Sequence, residues 1–188
     1  LNRGELPIVL GGDHCLGIGS ITAVARHCRE NGKKLRILWL DAHADFNTSQ
    51  VTPSGNIHGM PAACLCGLGP DELTLLGGTK PAIQPEEIRQ IGIRSVDIGE
   101  KRLVHRYGLD IYDMRYIDEM GMRHTMELAL ATMDGFQLEL RDDWPPNRRG
   151  RGASLFCFCF FCRFGCSGLL CCLCRLCGLC RRFLFGCR

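Results

Sequence analysis

Apolar positions along the first two thirds of the chain fall into two rhythms, short near-continuous runs and longer stretches with helical spacing. Residues 35–40 (LRILWL) are apolar apart from Arg36 and read as a buried strand. Residues 7–10 (PIVL) form a shorter run of the same kind and predict another strand. Between them Ile21, Val24, Ala25 and Cys28 recur at helical spacing, which predicts a helix over about residues 20–30. Ser20 is placed to cap its start, and Asn31-Gly32 to end it. A strand, a helix and a second strand in succession imply parallel pairing.

The alternation continues. Residues 47–60 (NTSQVTPSGNIHGM) are polar and rich in turn formers, and read as a loop. Pro61 can open a short helix through Leu68, and Pro70 another through Leu76, because the first helical position needs no amide donor. Residues 88–96 carry β-branched residues and predict a strand ending at Asp97. A helical segment over 100–107, a short strand over 109–112 and a helix over 121–133 complete the pattern. Met126, Ala129, Leu130 and Met133 share one face of that last helix, a core pattern. Strands alternating with helices specify an α/β domain with a parallel sheet and flanking helices.

Beyond Gly135 the rhythm fails. Residues 136–140 alternate like a half-buried strand, and 141–152 (RDDWPPNRRGRG) form a basic linker rich in breakers. From Ala153 to the end the chain is almost wholly Cys, Phe, Leu, Gly and Arg, with no acidic residue and no lysine. This divides the chain into a partial domain over 1–135, a divergent linker over 136–152 and a low-complexity tail over 153–188. The tail's vocabulary is that of a wrong reading frame, rich in codons with T or G in the middle. Its apolar stretches are broken by Arg163, Arg175, Arg181 and Arg182, so none approaches the roughly 20 residues that span a bilayer. Cys171, Cys174, Cys177 and Cys180 repeat every third residue, a spacing shared with some iron-sulfur ligand sets, while a thiol-rich apolar segment is also one that aggregates or oxidises.

Composition narrows the function. Of 14 cysteines, only Cys15, Cys28, Cys64 and Cys66 precede the tail, which suggests reduced thiols in a cytoplasmic protein rather than a disulfide framework. A net charge of +3, with acids and bases interspersed, gives no sign of a nucleic-acid partner, and nothing predicts a membrane partner. The start, LNRGEL, has no methionine and no basic-then-apolar leader, so the chain reads as a fragment missing its amino-terminal portion.

The candidate chemistry lies in Asp41-Ala42-His43-Ala44-Asp45. In an extended chain residues i, i+2 and i+4 point to one face, so a single segment at the carboxyl end of a strand could aim two carboxylates and an imidazole at one point. Acids at a strand end can also simply cap a helix or solvate a loop. His14 follows the other predicted strand, and adjacent parallel strands would bring it beside Asp41. Oxygen ligands with one or two imidazoles, and no thiolate, suit a cation such as manganese.

Gly11-Gly12-Asp13-His14, then Asp41-Ala42-His43-Ala44-Asp45-Phe46-Asn47, then Ser54-Gly55-Asn56-Ile57-His58-Gly59-Met60-Pro61 together resemble the signature blocks of the ureohydrolases, and within them the arginases. The resemblance implies a three-layer α/β/α fold and hydrolysis of L-arginine to L-ornithine and urea, with two Mn2+ ions. By that resemblance His14, Asp41 and Asp45 would bind one ion, and Asp41 and His43 would serve the second. Asp45 would also belong to the catalytic centre, beside His58, which would shuttle protons to the leaving amine. Asn47, Ser54 and Asn56 would hold the substrate α-carboxylate and Asp97 its α-amino group. Asp97 can equally be a plain helix cap. The Ser54 and Asn56 donors favour arginine over agmatine, which has no carboxylate to satisfy.

One part of the family pattern is missing. Its Asp-x-Asp pair has no counterpart, since Asp142 and Asp143 are adjacent and no acid follows them. The resemblance therefore implies an incomplete second metal site and impaired turnover. A catalytically inactive metal-binding remnant and an agmatinase are the alternatives. The family is usually a homo-oligomer, and the missing strands leave that arrangement open.

Overall fold

The computed structural model describes residues 8–131, together with the backbone of a strand over 154–159. Four parallel strands form one sheet: β1 (Leu35–Leu40), β2 (Ile88–Ile93), β3 (Asp110–Asp113) and β4 (Ser154–Cys159), in the order β3-β2-β1-β4. The helices are α1 (Leu16–Glu30), α2 (Pro61–Leu65), α3 (Asp71–Thr74), α4 (Ile98–Tyr107), α5 (Met114–Met120) and α6 (Met122–Ala131).

Alternation along β1 divides the core between the two sheet faces. Leu35, Ile37 and Trp39 pack with Ile21, Val24, Ala25 and Cys28 of α1 and with Val104 of α4. Leu38 points the other way, into a cluster with Tyr112, Ile117 of α5 and Ala129 of α6. Helices cover both faces, so the layers are α/β/α, as the resemblance implied. The sheet is incomplete beside that expectation.

Several boundaries differ from the sequence reading, each for a local reason. Helix α1 begins a turn earlier than expected, and the Ser20 hydroxyl donates to the Leu16 carbonyl (3.1 Å) instead of capping. Helices α2 and α3 are shorter than predicted, and α5 was not foreseen; it starts where Asp113 accepts a hydrogen bond from the Tyr116 amide (2.8 Å). Strand β2 stops at Ile93 because a bulge falls between Ile91 and Ile93, where Gly92 adopts φ +90°. A side chain at Gly92 would also lie 3.2 Å from the Asp41 carbonyl, so the bulge lets β2 approach the end of β1. The added residue returns Ile93 to the face of Ile88, five positions earlier.

The predicted strand over 7–10 is absent across its described part. Ile8, Val9 and Leu10 have no strand pairing and are 67%, 51% and 91% exposed. The edge of β1 away from β2 is occupied along its whole length by β4, from Leu35 opposite Ser154 to Leu40 opposite Cys159. The tail thus contributes a strand that its composition did not announce. The expected strand over 136–140, Asp142, Asp143 and the Cys171–Cys180 repeat lie outside the described residues, as does Met133.

Candidate functional site

Asp41 follows directly on β1, and its amide still donates to the Ile91 carbonyl of β2 (3.2 Å). Its buried carboxylate faces two ways. Oδ2 lies 3.3 Å from His14 Nδ1, while Oδ1 lies 3.5 Å from His43 Nδ1 and accepts the His43 amide (3.0 Å). Asp45 Oδ2 approaches the same His14 Nδ1 at 2.5 Å. One ligand atom each from His14, Asp41 and Asp45 falls within a 4.8 Å cluster, the group among the described residues able to hold a metal ion.

His14 does not arrive on an adjacent strand as expected. It sits in the turn before α1, 6% exposed, with its ring 4.7 Å from that of Trp39. Nor does simple extended alternation assemble the ligands. Asp45 has a left-handed backbone (φ +51°), and this turn brings its carboxylate to His14, while the His43 side chain remains 51% exposed at the other oxygen of Asp41. The segment between them is held by a parallel bridge from His43 to Ser95, with the Arg94 and Ser95 amides donating to Ala42 O (2.9 and 3.0 Å).

Burial pushes the Asp45 carboxyl up; the His14 contact opposes this and the charge of Asp41 reinforces it. Asp45 Oδ2 stands within hydrogen-bonding distance of His14 Nδ1. Two carboxylates and a ring nitrogen gathered within a few ångströms in a largely buried site form an arrangement that a cation would stabilise. Two carboxylates and an imidazole suit one divalent cation. On the other side of Asp41, Oδ1 and His43 Nδ1 lie 3.5 Å apart.

The loop after Asp45 carries the other predicted residues. Asn47 is buried, its amide nitrogen donates to Asp97 Oδ2 (3.1 Å), and its Oδ1 accepts no hydrogen bond from a described residue. Asp97 is the N-cap of α4, so the cap and the contact with Asn47 coexist in one side chain. Ser54 and Asn56 are exposed, with the Asn56 amide donating to Ser54 Oγ (3.2 Å). His58, on a 3-10 turn (Ile57–Gly59), is 55% exposed and lies 3.7 Å from Asp13, the neighbour of His14. Hydrogen bonds from Cys15 hold the Asp13 carboxyl below its usual range, and the charges of His58 and His14 add to this.

Two buried residues escaped the sequence reading. Glu100 accepts the amides of Phe46 (2.8 Å) and Asp97 (3.1 Å), joining the ligand segment to the start of α4. Its carboxyl is pushed up by burial, which those two hydrogen bonds oppose. The Asp97-x-x-Glu100 spacing of a capping box was the available signal. Gln90, wholly buried in β2, donates to the Ala44 carbonyl (2.5 Å); a lone amide within IRQIGI was its trace in the sequence.

The sequence profile described as "Arginase family" matches residues 1–138. The chain belongs to the arginase family. Relatives include arginase from Bacillus caldovelox, 44% identical over 74% of this chain and 47% of its own length, and arginase from Brevibacillus brevis, 42% identical over the same shares. Among solved structures, the Bacillus caldovelox arginase superposes with a TM-score of 0.65 at 46% identity, covering 70% of this chain and 42% of that one. The Entamoeba histolytica arginase, solved in complex with L-ornithine, gives 0.60 at 38% identity over 65% and 41%. The chain spans about half the length of the curated relatives it matches.

Proposed function

We propose that this arginase-family chain carries the metal and substrate-recognition half of a manganese-dependent hydrolase of L-arginine, yielding L-ornithine and urea. The observation that carries the reading is the convergence of His14, Asp41 and Asp45 at the end of β1. His14, Asp41 and Asp45 would hold one Mn2+, and Asp41 with His43 would offer the beginning of a second site. A bound divalent cation acidifies water, which supplies the strong nucleophile that a resonance-stabilised guanidinium carbon requires.

The remaining residues bind and move protons. Asp97 would pair with the substrate α-ammonium, and its Asn47 contact places that carboxylate beside the loop that would take the α-carboxylate. Asn47, Ser54 and Asn56 would donate to the α-carboxylate, a group agmatine lacks. His58 is exposed enough to exchange protons with solvent, and Asp13 stands beside it. It would deliver a proton to the departing ornithine nitrogen.

A second reading is favoured by a specific observation: beside β1 stands β4, SLFCFC, a strand without a carboxylate. With no acid after Asp143, the charge of a second ion would go unneutralised. The chain would then bind metal and turn over arginine poorly. Urea release from L-arginine, measured on the full chain with Mn2+ alongside calorimetric stoichiometry, tests both readings. One ion per chain and turnover far below that of the Bacillus caldovelox arginase are expected. Turnover close to that enzyme's would refute the impairment, and no Mn2+ binding would refute the metal assignment. The four cysteines of the described domain are free, and no helix among the described residues is long and apolar enough to cross a membrane.

A further inference from the structure

Asp45 is the one non-glycine position among the described residues with a positive φ (+51°), and it is also a proposed metal ligand. Such a conformation is disfavoured for a side chain with a Cβ and persists only where the surroundings over-determine it. Four hydrogen bonds hold the backbone around it. The Asp45 carbonyl accepts the amides of Ala62 (3.0 Å) and Ala63 (3.3 Å) at the start of α2. On its C-terminal side, the Phe46 amide is taken by Glu100 Oε1. On its N-terminal side, the Ala44 carbonyl is taken by Gln90 Nε2.

Gln90 is an expensive way to fill that position if packing is its only task. It is 0% exposed, sits opposite Trp39 in the parallel register, and shares its strand with the buried Ile88 and Ile91. Its Oε1 is buried and accepts no hydrogen bond from a described residue. An apolar side chain would avoid that uncompensated burial. The amide therefore has a use that an isoleucine or methionine could not supply, and its donor reaches across 46 positions of sequence to the peptide preceding Asp45. Its orientation is fixed as well, since a flipped amide would set two carbonyl oxygens against each other.

We propose that Gln90 is a positioning residue: its amide grips the Ala44 carbonyl and so sets the left-handed turn that aims the Asp45 carboxylate at His14 and Asp41. The metal consequence rests on the function proposed above. The backbone consequence does not. With Gln90→Met, nearly equal in volume and without a donor, peptide 44–45 is free to rotate while the β2 strand stays packed.

The test compares the full-length wild type with Gln90→Met and Gln90→Leu, so that a folding defect peculiar to one replacement does not decide the outcome. Amide hydrogen exchange without metal is expected to quicken about tenfold or more at Phe46 and Ala62, with Ile37 and Ile91 unchanged. Mn2+ titration calorimetry is expected to show affinity falling roughly tenfold to a hundredfold. Unchanged exchange at Phe46 and Ala62 in a folded variant overturns the proposal. So does a loss of protection spread equally over Ile37 and Ile91, which would assign Gln90 to the core at large. Locally quickened exchange in a protein whose wild type binds no Mn2+ supports the positioning role and overturns only the metal reading.

Discussion

Asp45→Asn separates the cost of the metal cluster from its use, because the two effects have opposite signs. Asp45 is 5% exposed, and burial pushes its carboxyl up against the opposing His14 contact. Without metal, burial and the neighbouring Asp41 both disfavour the charged form of this carboxylate. Asparagine keeps the shape and removes the charge, so metal-free stability should rise by roughly 1 kcal/mol or more. For a domain of this size that is about 4 °C in melting temperature. With Mn2+ at about a hundredfold excess over Kd, the wild type should gain about 2.7 kcal/mol from binding. The variant should lose nearly all of that gain, since a neutral amide is a far weaker ligand for a hard cation. Differential scanning calorimetry with chelator and with Mn2+ measures both halves. A variant less stable than wild type in chelator, or one shifted by Mn2+ as far as wild type, would refute the electrostatic account of the cluster.

Glu100 gives the pH dependence. Its folded pKa is raised by burial, so the native state binds this proton more tightly than the unfolded chain; the stabilisation is present below the ordinary carboxylate range and is lost as pH rises through the raised value. The stability of the metal-free wild type relative to Glu100→Gln should therefore decline as pH rises above the ordinary carboxylate range, as read by urea unfolding at several pH values. Phe46→Ala removes a ring that is 0% exposed and stands edge-on to Tyr107 at 5.9 Å; it should cost about 3–5 kcal/mol in denaturant unfolding. Burial, with Glu86 and Glu87 adding to it, pushes the Cys66 thiol up to about 12, so iodoacetamide at pH 8 should label Cys66 only after unfolding. Labelling of native Cys66 at the rate of a free thiol would contradict its burial.

Much of the site was legible before any coordinates because its ligands come in short local blocks. Asp41, His43 and Asp45 stand together after an apolar run that reads as a buried strand, and β1 lies where that run predicted. Asn47 and Asp97, fifty residues apart, were each singled out through the family resemblance, and their side chains meet at 3.1 Å. The strand predicted over 7–10 failed because an apolar run declares what a segment could pair with, not whether the edge beside β1 is open to it. The left-handed turn at Asp45 was equally invisible, because an aspartate does not announce the conformation that its neighbours impose on it.

The sequence alone determined the family, the parallel α/β rhythm and the chemical types that gather at the carboxyl end of β1, since these depend on local order and spacing. Only the tertiary structure decided how the types become a site. His14 is delivered by a turn rather than a strand, and Asp41 divides its two oxygens between His14 and His43. Gln90 and Glu100 hold the peptides on either side of Asp45 from 46 and 54 positions away. Those contacts are long-range hydrogen bonds to backbone groups, so the capping-box spacing and the lone amide in β2 could mark the residues but not the distant peptides they hold.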